Sequence, residues 1–174
     1  RDRQFEVAGV EPRFFYSFET GSIKNEFEGG IRFLYEKAYE QRVNGTKADA
    51  SSGSLVEDET RTGYAFSLFF QDKIKLNESF NITPGVRLES FQFERDIFRI
   101  SSRDTSLQAD DKVFSFVPGI GITYNLDNSI TFFGGIHRGF APPRIKDAIS
   151  NSGTSLRLEA ELSWNSEIGT RINF

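Results

Sequence analysis

Arginine is the residue type through which this chain has most scope for chemistry. Arg42, Arg95, Arg99, Arg103, Arg138, Arg144 and Arg157 fall in stretches that read as connections. A planar guanidinium makes paired hydrogen bonds to carboxylate oxygens, which suits an anionic partner. Each of these arginines would serve equally well as a solvated surface charge. Acidic residues cluster at Asp110-Asp111 and at Glu57-Asp58-Glu59. Hard cations take such ligands, but loop acidity is more often plain solvation. His137 is the only histidine and cysteine is absent. A transition-metal site would therefore need carboxylates alone beyond that imidazole, and His137 reads as a polar wall or loop-base residue. Disulfides and thiol nucleophiles are excluded. No Gly-x-Ser-x-Gly elbow supports a serine nucleophile. The expectation is a binding protein, neither an enzyme nor the holder of a resident cofactor.

The elements that position these groups show themselves by alternation. Phe27, Gly29, Ile31, Phe33 and Tyr35 alternate with Glu28, Gly30, Arg32, Leu34 and Glu36. The same period of two runs through Tyr64–Phe70, Phe80–Leu88, Phe116–Tyr124, Ile130–Ile136 and Leu162–Ile172. A less clean strand covers Val10, Pro12, Phe14, Tyr16 and Phe18. Successive side chains of a strand point to opposite faces. One face is thus large and apolar, while the other carries mid-strand charges such as Arg32, Arg87, Glu89, Glu167 and Arg171. Those charges are expected to form ladders across strands or to meet something inside. Phe69 and Phe133 fall on the charged face, which raises the question of what they pack against. Pro84-Gly85 and Pro118-Gly119 lie within strands. Proline cannot donate to the ladder, so a bulge is expected at each.

Connection lengths separate a barrel from a sandwich. A modest link at 19–26 is followed by a long one at 37–60, then a tight turn at Leu76-Asn77-Glu78. A long link at 95–112 precedes a second tight turn at Leu126-Asp127-Asn128, and a long link at 139–160 closes the series. Short turns at one end and long loops at the other are the pattern of outer-membrane barrels; soluble sandwiches are more evenly spaced. The link 44–60, with Asn44, Gly45 and Thr46 through Ser51, Ser52, Gly53 and Ser54, is rich in turn formers and is expected to be mobile. The fold class is therefore all-β: a transmembrane antiparallel β-barrel, of which about seven strands are present. Seven strands would leave two edges open, which hydrocarbon does not tolerate, so further strands are expected elsewhere. The chain begins at Arg1 without an initiator Met, so its natural start is expected upstream.

Composition agrees. Phenylalanine accounts for 19 of 174 residues, against one Trp and five Tyr, and so many rings need an apolar surface. The mean hydropathy is negative, as it must be where half of each strand faces water. No run approaches a spanning helix, and no signal peptide is evident. With 21 basic and 25 acidic residues the net charge is -4, which gives no reason to expect nucleic acid.

Several of these segments resemble TonB-dependent outer-membrane receptors. Phe70-Gln71-Asp72-Lys73-Ile74 and Ile82-Thr83-Pro84-Gly85-Val86-Arg87-Leu88-Glu89 look like adjacent strands of that family. His137-Arg138-Gly139-Phe140-Ala141-Pro142-Pro143-Arg144 is similar to a loop entry in its siderophore-receptor branch. Leu158-Glu159-Ala160-Glu161 and Trp164–Arg171 resemble the strand that follows, with Ala160 where the family often has Pro. Gly9-Val10-Glu11-Pro12-Arg13 and Asp58-Glu59-Thr60-Arg61-Thr62-Gly63 look most like the ferric citrate receptors.

The resemblance implies a barrel of about 22 strands closed by a plug. Residues 1–174 would be part of that single barrel domain, with the plug absent from this sequence. It implies a place in the bacterial outer membrane, in contact with its lipid, and active uptake of a ferric siderophore or ferric citrate. Energy would come from the TonB complex, through an N-terminal region this sequence lacks. It places Arg42 where the family carries a ligand-binding arginine, with Arg144 and Arg138 as further candidates at the mouth. A passive porin-like channel is the alternative in another class, and a soluble β-sandwich binding module a third.

Overall fold

The computed structural model describes residues 2–50 and 52–173, so Arg1, Ser51 and Phe174 lie outside the described residues. In chain order the elements are β1 (Asp2–Val10), β2 (Arg13–Thr20), β3 (Ile23–Asn44), β4 (Ser54–Lys75), β5 (Phe80–Ile100), β6 (Arg103–Asn125), β7 (Ile130–Ala141), α1 (Ile145–Ala148) and β8 (Glu161–Ile172). Each strand pairs antiparallel with its neighbour in one sheet, ordered β1-β3-β4-β5-β6-β7-β8 with β2 also on β3. No helix among the described residues is long and apolar enough to cross a membrane.

The eight segments make seven passes. Val10 faces Phe33 and Arg13 faces Gly30, so β1 and β2 continue one register along β3. Only Glu11-Pro12 interrupts them. The Pro12 carbonyl still accepts from the Ile31 amide at 3.2 Å, which keeps the break in line.

Alternation along these strands divides the sheet as its sequence predicts. Phe66, Leu68, Ile82, Val86, Ile120, Phe132 and Ile168 share one face through the cross-strand registers. Ile168 is 92% exposed on it. Burial gathers on the opposite face, at Glu59, Ser67, Phe93, Arg95, Ile97, Val113 and Ser115. The apolar face is the one that hydrocarbon would cover; the other is the lumen.

Glycines explain the two luminal phenylalanines. A Cβ on Gly30 would lie 2.8 Å from Cε1 of Phe69 and 2.9 Å from the Pro12 carbonyl. One on Gly169 would lie 2.9 Å from Cε2 of Phe133. Each ring therefore lies over a glycine of the adjacent strand and takes the place of its missing side chain. Phe69 is also flanked by the Arg13 and Arg87 guanidinium groups, 5.7 and 5.9 Å from its centroid. Arg87 pairs with Glu89, whose Oε2 accepts from Ser67 Oγ at 2.5 Å. Arg32 approaches Glu11 at 3.7 Å. The luminal charges thus pair partly along a strand and partly across strands.

Three expectations need correction. Pro84 and Pro118 cause no bulge: Pro84 faces Ile120 and Pro118 faces Val86 in unbroken register. Instead the ladder simply lapses beside each proline. The β4–β5 pairing skips from Gln71–Gly85 to Ile74–Ile82, and the β6–β7 pairing stops at Gly119–His137. The irregularities that do occur fall higher, at Arg42/Val43, Asp58/Glu59 and Ile97/Arg99.

Second, the link expected at 19–26 is a two-residue turn, made possible by Gly21 at φ 64°. Third, most of the long links at 37–60 and 95–112 is strand. A spanning strand needs roughly 9–11 residues. β3 to β6 have 22, 22, 21 and 23, so their upper halves project beyond the membrane. Ser101 and Ser102, both at positive φ, close the β5–β6 hairpin directly. The short turns stand as predicted. The Asn77 side chain accepts from the Ser79 and Phe80 amides at 2.9 Å each, and Asp127 does the same for Ser129 and Ile130 at 2.7 and 2.9 Å.

Candidate functional site

At the end opposite the short turns, the connection between β7 and β8 folds back over the luminal face. Pro142-Pro143 cannot continue a ladder, and Arg144 starts the single turn α1. Ala148 and Ile149 are fully buried against Phe93, with Phe91, Ala109 and Ile145 around them. The segment closes on itself through Leu156, whose amide donates to the Ala148 carbonyl at 2.8 Å.

Arg95 holds this segment in place. It is 1% exposed, and its Nη1 donates to the Ile149 carbonyl at 2.6 Å. Nη2 reaches the Asn151 side chain at 2.9 Å, and Nε donates to Glu59 Oε2 at 2.9 Å. From Glu59 the charges run on along the wall. Lys146 of α1 lies 3.3 Å from Glu59 and 3.6 Å from Glu57. Arg61 lies 3.7 Å from Glu59 and 2.6 Å from Glu40. Arg3 also meets Glu40, at 3.2 Å. Burial works to raise the Glu40 pKa, but the Arg3 hydrogen bond and the charges of Arg61 and Lys146 outweigh it. The net direction is below the ordinary carboxylate value.

Beside this network lies a cleft of about 510 Å³ between β1, β3, β4 and α1. Arg61, Arg144, Lys146 and Lys37 contribute to its lining, against Glu36 and Asp147. Phe5, Val7 and Ile145 add apolar surface. Positive charges outnumber negative ones, and Arg144 is exposed and makes no ion pair among the described residues. The arrangement suits an anion with oxygen acceptors and some apolar surface.

The three predicted arginines separate. Arg144 lines the cleft. Arg42 does not; it pairs with Glu57 at 2.9 Å, the carboxylate that Lys146 also approaches. The two come from different hairpins and converge on one end of the sheet, joined through Glu57 and α1. Arg138 alternates with Ile136 and Phe140 onto the outward face, opposite Trp164. Its Nη1 donates to the Phe116 carbonyl at 3.3 Å, just beyond the end of the β6–β7 ladder.

The acidic clusters find other work. Glu57 and Glu59 take cationic side chains, while Asp58 accepts from Gln41 at 3.0 Å. Asp111 accepts from Ser155. No group of His, Asp or Glu among the described residues is placed to hold a metal ion. Sequence reasoning missed Arg61, Lys146 and the anchoring role of Arg95. The parity of β4 and β5 was the available signal, because it puts Glu59, Arg61 and Arg95 on the luminal side.

The family model for the TonB dependent receptor-like β-barrel matches residues 2–174. Among solved structures, the ferric citrate transporter FecA in its unliganded form superposes with a TM-score of 0.81 at 24% identity. That match covers 98% of this chain and 25% of FecA. The ferric-catecholate import receptor Fiu from E. coli K12, in its closed form, gives 0.78 at 18%, covering 98% and 29%. The siderophore receptor PiuA from Acinetobacter baumannii gives 0.74 at 16%, covering 99% and 30%. At these identities the likeness is one of fold, and the chain spans between a quarter and a third of each receptor. The register, the short-turn and long-hairpin ends and the family match together establish that this chain belongs to the TonB-dependent receptor β-barrel family, whose members reside in the bacterial outer membrane.

Proposed function

We propose that this chain forms part of the wall and mouth of a receptor that imports an anionic ferric chelate, a siderophore or ferric citrate. Uptake is energised by the TonB complex acting on the intact receptor. Iron is cargo here, carried inside its chelate, and the chain holds no cofactor of its own. The single observation that carries the reading is the basic cleft under α1, lined by Arg61, Lys146 and Arg144, the last without an ion pair among the described residues. A tricarboxylate-coated ferric complex presents the carboxylate oxygens that guanidinium groups bind in pairs. Arg42 lies one ion pair away, on the Glu57 carboxylate that Lys146 also approaches, and reaches a ligand only by leaving Glu57 to Lys146.

The test uses the full-length receptor with Arg144→Ala and Arg42→Ala, titrated with ferric citrate and with a neutral ferric siderophore. Loss of a charge-assisted bond worth roughly 1.5–3 kcal/mol should weaken ferric citrate binding about 10- to 150-fold for Arg144→Ala. Arg42→Ala should have a smaller effect, and the neutral chelate should be nearly indifferent to both. Ferric citrate binding unchanged in both variants would remove these arginines from the site. Binding of the neutral chelate alone by the parent would replace the ligand and keep the receptor class.

A further inference from the structure

We infer that the cleft at the short-turn end of the lumen, beside Lys24, Lys73 and Lys75, is an exit site that holds the anionic chelate loosely before it enters the periplasm. The inference rests on the reading of the cargo as an anionic ferric chelate. The cleft has a volume of about 600 Å³ and lies among the ends of β3, β4, β5 and β6. Glu78, exposed on the β4–β5 turn, is the carboxylate in its lining.

Two observations point to an anion there. The first is the placement of charge. The three lysines share the luminal face, and Lys24 stands directly opposite Lys75 in the β3–β4 register. Like charges directly opposite are destabilising, and an anion between them relieves that cost. Glu26 answers Lys73 at 3.5 Å and also pairs with Lys75. Lys24 makes no ion pair among the described residues, although Glu19 faces it on β2. The second is Asn81, which lines the cleft and faces Lys75 from β5. It is only 9% exposed, and its side chain makes no hydrogen bond among the described residues. A buried amide without a partner is costly, and carboxylate oxygens entering the cleft would accept from it.

The residue types suit departure. At the mouth, the guanidinium forks of Arg61 and Arg144 bind carboxylate in pairs, whereas a lysine ammonium is a flexible, strongly hydrated point charge. A passenger must be attracted enough to arrive and held weakly enough to leave. The wall above the cleft also leaves room. On the luminal side of β5 to β7, Gly85 faces Gly119 and Gly121 faces Gly135. A Cβ on Gly121 would meet nothing nearer than 3.9 Å, so the strands themselves do not require glycine there.

The test places a cysteine at Ser22, in the lining of the cleft, in the intact receptor purified in detergent, where both ends of the barrel meet solvent. Millimolar ferric citrate should slow maleimide labelling of Ser22→Cys at least threefold, and sodium sulfate at equal ionic strength should not. Adding Lys24→Gln/Lys73→Gln/Lys75→Gln should abolish this protection, with heat-modifiable gel mobility confirming an assembled barrel. Asn81→Leu alone should raise the half-protecting concentration at least threefold and serves should the triple variant fail to assemble. Arg144→Ala should weaken binding at the mouth and keep the protection. Labelling indifferent to ferric citrate, equal protection by sulfate, protection undiminished in the lysine and Asn81 variants, or protection lost with Arg144→Ala would each overturn the inference. Labelling that is slow without ligand and speeds up in the triple variant would assign the lysines to another segment of the receptor and overturn it too. A parent that shows protection but no binding at the mouth would uphold this site and refute the mouth reading instead.

Discussion

Replacing Arg95 with leucine should loosen the segment over the lumen while leaving the membrane part of the barrel assembled. The guanidinium makes three kinds of contact from full burial: to Glu59, to the Ile149 carbonyl and to the Asn151 side chain. Leucine fills comparable volume but ends all three. Glu59 keeps Lys146 at 3.3 Å and Arg61 at 3.7 Å, so it remains partly compensated. The Ile149 carbonyl has no such substitute. A hydrogen bond from a charged donor contributes roughly 1.5–3 kcal/mol, and more where its loss strands a buried acceptor. Local opening of 145–156 should therefore rise about 10- to 150-fold. Hydrogen exchange on the intact receptor reads this directly, because the amides of Ile149, Ser150 and Leu156 are all bonded within the segment. Peptides from the short-turn halves of β5 and β6 should not change. The double variant Glu59→Leu/Arg95→Leu removes the stranded carboxylate but not the lost tethers. It should exchange as fast as Arg95→Leu in 145–156. Unchanged exchange in Arg95→Leu would refute the tether, and recovery in the double variant would show that charge, not tethering, held the segment.

Two further outcomes follow from the same geometry. Val86→Arg places a charge on the lipid-facing row and should cost roughly 2–4 kcal/mol if near the midplane, read as a lowered denaturant midpoint of the intact barrel in vesicles; an unchanged midpoint would put Val86 on the wrong face. Glu40 lies below its ordinary pKa in the folded state, so its contribution is complete above the ordinary value and is lost as pH falls through the folded one. Order in the Arg3–Glu40–Arg61 cluster should therefore hold from pH 7 to about pH 5 and fail only in more acid solution, seen as faster labelling of a cysteine placed at Val7.

The sequence made the membrane part of this fold readable and the extracellular part largely opaque, for one physical reason. Where one face meets hydrocarbon and the other water, side chains such as Phe66, Leu68, Ser67 and Gln71 must alternate. Above the membrane both faces meet water, so Lys37–Asn44 and Ser54–Arg61 lose that pattern and read as loop although they are strand. The turn at Ser101-Ser102 gave no warning, because neither residue is the Gly or Asn that positive φ favours. Pro84 misled in the other direction: its missing N–H leaves a gap in the ladder, not an inserted residue. At the site, Arg144 was identifiable by its place after Pro142-Pro143. Arg95 was not, since nothing local distinguishes a solvated arginine from one buried by a segment more than fifty residues away.

The most direct test of the central claim is uptake of radiolabelled ferric citrate by cells expressing the full-length receptor, with the energy-coupling TonB complex present or deleted. Receptor-dependent accumulation that disappears on deletion, and falls at subsaturating ligand in Arg144→Ala, is the predicted result. Accumulation that continues at the same rate without TonB would contradict it and make the barrel a passive channel.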